Sequence, residues 1–261
     1  MIGIFDSGVG GLSVFREIKK ALPEESYIYY SDNANCPYGE KPKEFIIRRA
    51  KEITEFLLSE GAEIIVVACN TATAIAVKTL REDYPHIRFI GMEPAIKPAA
   101  KITQTGVVGV LATAGTLKSE KYLNHKQKYV DQVTFAEHVG EGFVQLVESG
   151  TVTGPEAEEV VTRSLKPLLD AGADVIVLGC THYPFLLDTI HKVASELHPE
   201  RRIEIIDPAP AIARHLKDVM LEEGLLPHDT TTPPCHRGIS GTTILHSSGD
   251  PAILKDFFRN I

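Results

Sequence analysis

The chain has 261 residues, of which 43% are hydrophobic and 24% are charged, and its net charge is −8 at pH 7. This length and composition are those of a globular protein with one large domain or two lobes. The acidic balance excludes a nucleic-acid partner, because such a partner requires clustered Lys and Arg side chains that neutralise phosphates.

The first residues lead directly into a strand pattern. Met-Ile-Gly-Ile-Phe-Asp lacks the basic start, the apolar stretch and the small-residue cleavage site of a secretory signal. The longest apolar run, residues 64–69, is far shorter than a membrane span. The sequence therefore predicts a cytoplasmic protein with no membrane partner.

Short β-type runs alternate with helical patterns along the chain. The predicted strands are residues 2–5, 27–30, 63–68, 87–90, 107–111, 133–136, 174–178, 203–206 and 242–246. Several are almost continuously apolar, as strands covered on both faces require. Helical patterns include residues 42–59, stopped by Gly61, residues 211–223 and a last helix from Pro251, with a Pro/Thr-rich loop over 227–234. This alternation predicts an α/β fold with mainly parallel sheets flanked by helices.

An internal duplication divides the chain. Residues 61–69 match residues 172–180, and two further matches follow the same order, 2–8 with 108–114 and 93–95 with 207–209. Three ordered matches indicate two pseudo-symmetric lobes with the active site in the cleft between them. We predict a discontinuous first lobe of residues 1–97 plus 208–261 and a second lobe of residues 98–207.

Small polar segments follow four of the predicted strands. They are residues 6–11, 69–73, 113–116 and 180–184. In open α/β sheets, ligands bind beyond the carboxyl ends of the strands. We expect each segment to open a helix whose N-terminal amides attract anions.

The four cysteines fall into two groups. No C-x-x-C pair is present, so the sequence predicts free thiols and no metal site. Cys69 and Cys180 follow equivalent strands of the two lobes, and a helix N-terminus there is expected to lower the pKa of each thiol. Cys36 and Cys235 lack this context and are interpreted as small hydrophobic residues.

A matched pair of thiols suits one reaction in particular. Racemisation of an amino acid removes a proton from one face of Cα and delivers a proton to the other face. One thiolate can act as the base and one thiol as the acid, with the roles exchanged in the reverse reaction.

Five motifs resemble those of the glutamate racemase family, along essentially the whole chain. They are Asp6-Ser-Gly-Val-Gly-Gly11, Pro37-Tyr-Gly39, Cys69-Asn-Thr71, Thr113-Ala-Gly-Thr116 and Gly179-Cys-Thr-His-Tyr-Pro184. The resemblance implies that Cys69 and Cys180 are the catalytic acid/bases, assisted by Asp6, His182 and Glu148. The stretch Glu137-His-Val-Gly-Glu-Gly before Glu148 departs from the small apolar residues usual in the family.

The resemblance also implies the substrate, its binding residues and the assembly. Glutamate would be bound by Asp6, Ser7, Tyr38, Gly39, Asn70, Thr71, Thr113, Thr116, Thr181 and His182. The family uses no cofactor, forms homodimers and supplies D-glutamate for peptidoglycan.

Other interpretations of these residues stay open at this point. Asp6 can be a simple helix cap, His182 can satisfy a backbone carbonyl, and Tyr38-Gly39 can be a turn. A dinucleotide-binding oxidoreductase is a rival, since Gly8-Val-Gly10 follows a strand and Asp32 lies about 20 residues further on, but Ser13 breaks the fingerprint. The remaining alternatives are a racemase of aspartate and a non-catalytic two-lobed protein that binds amino acids.

Overall fold

A computed structural model of the protein describes residues 1–226 and 241–259. The predicted loop over 227–234 and Cys235 lie outside the described residues. The strands are β1 (Ile2–Asp6), β2 (Tyr27–Ser31), β3 (Ile64–Val67), β4 (Arg88–Gly91), β5 (Val107–Ala112), β6 (Thr134–Val139), β7 (Val175–Gly179), β8 (Glu204–Ile206) and β9 (Thr243–Ser247). The helices are α1 (Leu12–Ala21), α2 (Lys43–Ser59), α3 (Asn70–Asp83), α4 (Ile96–Ile102), α5 (Ala114–Leu117), α6 (Glu120–Gln127), α7 (Phe143–Glu148), α8 (Pro155–Asp170), α9 (Leu187–Leu197), α10 (Ala209–Glu222) and α11 (Pro251–Arg259).

The strands form two parallel sheets with the same internal order. The first sheet runs β4-β3-β1-β2-β9 and the second runs β6-β5-β7-β8. Read from the other edge, the second sheet is β8-β7-β5-β6, so each strand of the second sheet has a counterpart at the same position in the first. The predicted fold class is therefore confirmed, and the repeated order accounts for the repeated sequence.

Strand β9 extends the first sheet from the far end of the chain. It pairs in parallel with β2, with Leu245 opposite Tyr29. Helix α10 packs against α1, so the chain has already returned to the first sheet before β9. Both contacts support a discontinuous first lobe, while the boundaries at residues 97 and 208 stay a prediction.

Both faces of the first sheet are buried, which explains its continuous apolar strands. Ile4 and Val66 belong to one hydrophobic cluster with α1 and α10. Phe5 and Val67, their neighbours in sequence, belong to a second cluster under α2 and α3. Burial of each large side chain contributes about 1.5–3 kcal/mol, so neither face can be polar without a large loss of stability.

Two short segments connect the sheets. Residues 92–95 lead from β4 to α4, which packs against β7 of the second sheet. Residues 207 and 208 lead from β8 back to α10. Both segments contain a proline, Pro94 and Pro208, and they overlap the third repeat detected in the sequence, residues 93–95 with 207–209.

Candidate active site

The two sheets direct their carboxyl ends at one another, and a small pocket lies between them. Its lining is Ser7, Pro37, Tyr38, Gly39, Cys69, Asn70, Thr71, Thr113, Val144, Cys180, Thr181 and His182. The cavity measures about 10 Å³, close to the least space that one water molecule needs. This space is too small for an amino acid, so the lining residues must move apart before one can bind.

Cys69 lies where β3 ends and α3 begins. Its side chain is 5% exposed, and its sulfur accepts the backbone N–H of Ala72 at 3.5 Å as the N-cap of α3. The sulfur also lies 3.8 Å from the hydroxyl of Ser7. The predicted helix start at Cys69 is therefore confirmed.

The expected lowering of the thiol pKa at Cys69 is wrong. Burial raises the pKa of the Cys69 thiol well above its ordinary value, and the nearby Asp6 carboxylate raises it further. The hydrogen bond from Ala72 lowers it, as predicted, but by less. The effect of desolvation on the pKa is larger than that of the hydrogen bond. The thiolate would lose its solvating water in the buried site, and one backbone amide replaces only part of that solvation.

Asp6 holds the loop that leads into α1 and also faces the site. Its Oδ2 accepts the N–H of Gly11 at 2.8 Å and that of Gly8 at 3.3 Å, and Gly11 is the N-cap of α1. Its Oδ1 is buried and has no hydrogen-bond partner among the described residues. Burial raises the pKa of Asp6, opposed by the charge of His182 and the hydrogen bond from Gly11. One oxygen binds amides of the loop before α1, and the other is left available on the Cys69 side of the site.

Cys180 has different surroundings. It follows β7, and the next residues form a 3-10 turn, Tyr183–Leu186, before α9 begins at Leu187. The segment therefore opens a helix, as expected, but its first turn is a 3-10 helix that contains Pro184 and leads directly into α9. The sulfur lies 3.8 Å from Nδ1 of His182, whose Nε2 lies 2.7 Å from Oε1 of Glu148.

The charges of His182 and Glu148 stabilise one another. Burial alone would lower the pKa of His182, but hydrogen bonds with Cys180, Cys36 and Glu148 outweigh it and raise the pKa well above its ordinary value. The same contact with His182 outweighs burial at Glu148 and lowers the pKa of that carboxyl. A protonated imidazole can then donate one N–H to Glu148 and the other to the sulfur of Cys180. His182 is thus directed at a thiol rather than at a backbone carbonyl.

Glycines of the loop between β1 and α1 make room for this pair. A Cβ at Gly8 would lie 1.9 Å from Oε1 of Glu148, and a Cβ at Gly10 would lie 2.2 Å from Nδ1 of His182. The backbone N–H of Val9 also binds Oε1 of Glu148, at 2.9 Å. The Gly-x-Gly pattern that suggested a dinucleotide site therefore lets side chains of the second lobe approach this loop.

Hydroxyl groups join the lobes at the rim of the pocket. Oγ1 of Thr71 lies 3.1 Å from Oγ1 of Thr113, and the hydroxyl of Ser13 donates to the carbonyl of Thr181 at 2.8 Å. Thr116 contacts Thr113 at 3.0 Å and does not line the pocket itself. Asp6 and Glu148 also lie behind the lining residues. The structure thus brings together ten of the thirteen predicted residues as lining and the other three as their neighbours.

Tyr38 is held by a pair of residues that sequence reasoning did not assign to the site. Its hydroxyl donates to Oδ2 of the fully buried Asp32 at 2.5 Å. Arg49 on α2 donates to both oxygens of Asp32, at 2.7 and 3.1 Å. Because the hydroxyl is engaged, Tyr38 offers the pocket its ring and backbone. Asp32, which was part of the rival dinucleotide-binding pattern, binds protein groups instead.

Cys36 is a further residue that the sequence interpretation missed. Its sulfur lies 3.6 Å from Oε1 of Glu148, and burial raises the pKa of its thiol to about 11. The donor atoms of Cys36, Glu148 and His182 all lie within 4.8 Å of one another, a group that can hold a metal ion. The sequence feature that could have placed Cys36 near the site was its position directly before the Pro37-Tyr38-Gly39 motif.

Comparison with known proteins agrees with this geometry. Residues 2–216 match the family model described as Asp/Glu/Hydantoin racemase. The chain belongs to this family. As a member of the Asp/Glu/hydantoin racemases, it is similar to the glutamate racemase of Ectopseudomonas mendocina (strain ymp), with 46% identity over 225 residues that cover 86% of this chain and 84% of the relative.

Solved structures of other racemases have the same fold. Escherichia coli glutamate racemase, in complex with L-glutamate and the activator UDP-MurNAc-ala, gives a TM-score of 0.82 with 32% identity over 99% of this chain and 94% of that chain. The glutamate racemase of Francisella tularensis subsp. tularensis SCHU S4, in complex with D-glutamate, gives a TM-score of 0.80 with 29% identity. The match covers 99% of this chain and 93% of that chain. The resemblance drawn from the five motifs is thus confirmed, and the chain is a racemase. Across residues 1–226 and 241–259, every helix is too short or too polar to cross a membrane.

Proposed function

We propose that the protein interconverts L-glutamate and D-glutamate by moving the Cα proton between Cys69 and Cys180. The observation that carries the proposal is the pair of thiols in one small pocket, at the ends of the equivalent strands β3 and β7. A racemase needs an acid/base group on each face of the reacting carbon. The relatives crystallised with L-glutamate and with D-glutamate support glutamate as the substrate.

The reaction needs two proton transfers. From L-glutamate, the thiolate of Cys180 takes the Cα proton and becomes a thiol, which leaves the electron pair on the carbon. The thiol of Cys69 then gives its proton to the opposite face and becomes a thiolate, which yields D-glutamate. Since the two side chains supply both groups, the proposed reaction uses no cofactor.

Neighbouring residues assist each thiol in a different way. His182 places an N–H at the sulfur of Cys180, which stabilises the thiolate, and Glu148 holds the imidazole in this orientation. Asp6 directs charge and a free buried oxygen at the Cys69 side, where it favours the protonated thiol. We therefore assign Asp6 and His182 to the catalytic machinery and Glu148 as a positioning residue behind His182.

Polar groups in and directly behind the lining would bind the substrate. We assign this role to Asp6, Ser7, Tyr38, Gly39, Asn70, Thr71, Thr113, Thr116, Thr181 and His182. The hydroxyl and amide donors among them, with the first amides of α3, would bind the substrate carboxylates. These donors are fixed in place by the fold, so they can stabilise charge that develops at the carboxylate without rearrangement. A cytoplasmic homodimer that supplies D-glutamate for peptidoglycan completes the proposal.

Chiral chromatography tests the proposed function. Purified protein incubated with L-glutamate should form D-glutamate until the two enantiomers are equal, and should do so without added pyridoxal phosphate. In D2O each turnover should bring solvent deuterium to Cα. If the protein binds L-glutamate but forms no D-glutamate, it is a non-catalytic binding protein. If it racemises L-aspartate faster than L-glutamate, it is an aspartate racemase.

A further inference from the structure

We propose that Cys36, Glu148 and His182 form a binding site for Zn²⁺ beside the catalytic pocket, and that its occupation stops the enzyme reversibly. The three side chains come from separate parts of the chain, the loop after β2, the end of α7 and the turn after β7. Their ligand atoms all lie within 4.8 Å of one another. The site concerns metal binding, so its existence does not depend on which amino acid the enzyme racemises.

The donor set is the one that zinc selects. Thiolate sulfur, imidazole nitrogen and carboxylate oxygen bind Zn²⁺ at about 2.3, 2.0–2.1 and 2.0–2.2 Å in tetrahedral sites. Around one tetrahedral ion, the sulfur and the oxygen are about 3.5 Å apart on these bond lengths. Sγ of Cys36 and Oε1 of Glu148 are 3.6 Å apart, so this pair already has the required separation.

One adjustment opens the site for the ion. Nε2 of His182 and Oε1 of Glu148 are 2.7 Å apart and must separate to about 3.3 Å, the value that tetrahedral geometry gives for such bonds. The absence of a side chain at Gly8 permits the cluster itself, since a Cβ there would lie 1.9 Å from Oε1 of Glu148 and 3.0 Å from the sulfur of Cys36. A solvent molecule would complete the coordination as the fourth ligand.

The exchange leaves the charge of this half-buried cluster unchanged. Without metal, Glu148 is a carboxylate, His182 an imidazolium and Cys36 a thiol, with a sum of zero. Zn²⁺ would replace the proton on Nε2 of His182 and the proton on Cys36, both of which pass to solvent. The ion together with one thiolate, one carboxylate and one neutral imidazole again sums to zero, so the cluster gains no uncompensated charge on binding.

Bound zinc would act on the Cys180 side of the reaction. It would turn the imidazolium of His182 into a neutral, metal-bound imidazole and break its hydrogen bond with Glu148, so the sulfur of Cys180 would lose its charged donor. This inhibitory consequence rests on the proposed function, whereas binding itself does not. The two can therefore be tested separately.

Cobalt spectroscopy of the chelator-treated protein tests the binding site. Tetrahedral Co²⁺ bound to a thiolate gives a near-ultraviolet charge-transfer band, so titration of the wild type should show this band saturating at one Co²⁺ per chain and its loss on addition of Zn²⁺. Cys36→Ser should abolish the band and weaken Co²⁺ binding at least about tenfold, or about 1.4 kcal/mol. Cys69→Ser and Cys180→Ser, the matched controls, should keep the band. A band that survives in Cys36→Ser, or that disappears in either control, overturns the site.

A measurement on the unaltered chain covers the case in which Cys36→Ser does not fold. Zn²⁺ should slow alkylation of the Cys36 thiol by iodoacetamide at least about tenfold, read from the peptide that carries it by mass spectrometry. An alkylation rate that zinc leaves unchanged would refute the proposal. In glutamate racemisation assays, zinc should inhibit and a chelator should restore the rate, and the half-inhibitory concentration should rise at least about tenfold in Cys36→Ser. If the charge-transfer band appears but zinc does not inhibit racemisation, the binding site is supported and only its proposed effect on turnover is rejected.

Discussion

The two halves of the site occupy equivalent positions in a duplicated fold but surround their thiols with opposite charges. On one side, burial and the carboxylate of Asp6 raise the pKa of Cys69. On the other side, the sulfur of Cys180 faces His182, whose own pKa is raised by its hydrogen-bond partners. Duplication thus repeated the place of each thiol and left its electrostatic environment free to differ. An enzyme that treats two mirror-image substrates can therefore use chemically unequal halves.

Replacing either thiol should have the largest effect. Serine is a far weaker acid/base, so Cys69→Ser and Cys180→Ser should each lower kcat/KM by about 10³–10⁴-fold. The loss must be equal in both directions because the enantiomers have equal free energy in water. With Cα-deuterated substrates, Cys69→Ser should show the larger primary isotope effect from D-glutamate, since residue 69 then breaks the C–D bond.

Cys180→Ser should show the reverse pattern, with the larger isotope effect from L-glutamate. Circular dichroism of both variants serves as the control for folding. Equal isotope effects with both enantiomers in both variants would exclude the division of work between the two thiols.

His182→Asn should lower kcat/KM by about 10²-fold, because it removes the charged donor from Cys180 but leaves the thiol. Its isotope effects should follow those of Cys180→Ser. The matched variant on the other half is Asp6→Asn, whose isotope effects should follow those of Cys69→Ser. If both variants gave the same pattern, the two halves would not act independently and the comparison drawn above would fail.

Glu148→Gln should lower kcat/KM by about tenfold, since a charge-assisted hydrogen bond contributes about 1.5–3 kcal/mol and here acts through His182. Without the carboxylate, the pKa of His182 should fall toward its ordinary value of 6.5. His182 then loses its proton at lower pH, and the alkaline decline of activity should move to lower pH as well. Glu137→Gln is the control, because Glu137 pairs with Lys126 away from the site. An unchanged pH profile in Glu148→Gln would contradict the claim that Glu148 acts through His182.

Asp32→Asn should affect stability more than activity. Breaking its buried pair with Arg49 should lower the free energy of unfolding by about 3 kcal/mol. Burial raises the pKa of Asp32, but Arg49, Tyr38 and Asn35 outweigh it and lower the pKa from 3.8. The stabilisation is thus fully present above about pH 4 and is lost as the pH falls below that value. Chemical denaturation at pH 7 and pH 3 should show a smaller difference between variant and wild type at pH 3.

The effect of Asp32→Asn on turnover separates positioning of Tyr38 from general destabilisation. We expect KM to rise with little change in kcat and kcat/KM to fall by less than about tenfold, or about 1.4 kcal/mol. Asp174→Asn is the control, since Asp174 is a buried carboxylate bound by Thr103 and Thr105 away from the pocket. An equal rise of KM in Asp174→Asn would show that Asp32 acts through stability alone.

Patterns of local chemistry could be predicted from the sequence, while contacts between distant segments could not. The strand runs and the duplication predicted both sheets, and the ends of β3 and β7 predicted the thiol pair. The partners of Asp32 and Cys36 depend on how the loop after β2 folds against α2 and α7, which no periodicity encodes. The direction of the pKa shift of Cys69 was predicted wrongly for a related reason. The amide dipole that lowers it is local and visible in sequence, whereas the burial that outweighs it arises from packing of both lobes.

The two connections between the sheets, residues 92–95 and 207–208, restrict how the pocket can open. One connection would leave the lobes free to swing and twist in any direction. Two connections define a line, and rotation about that line is the motion they resist least. A hinge opening about that line would move Cys69 and Cys180 apart in one motion.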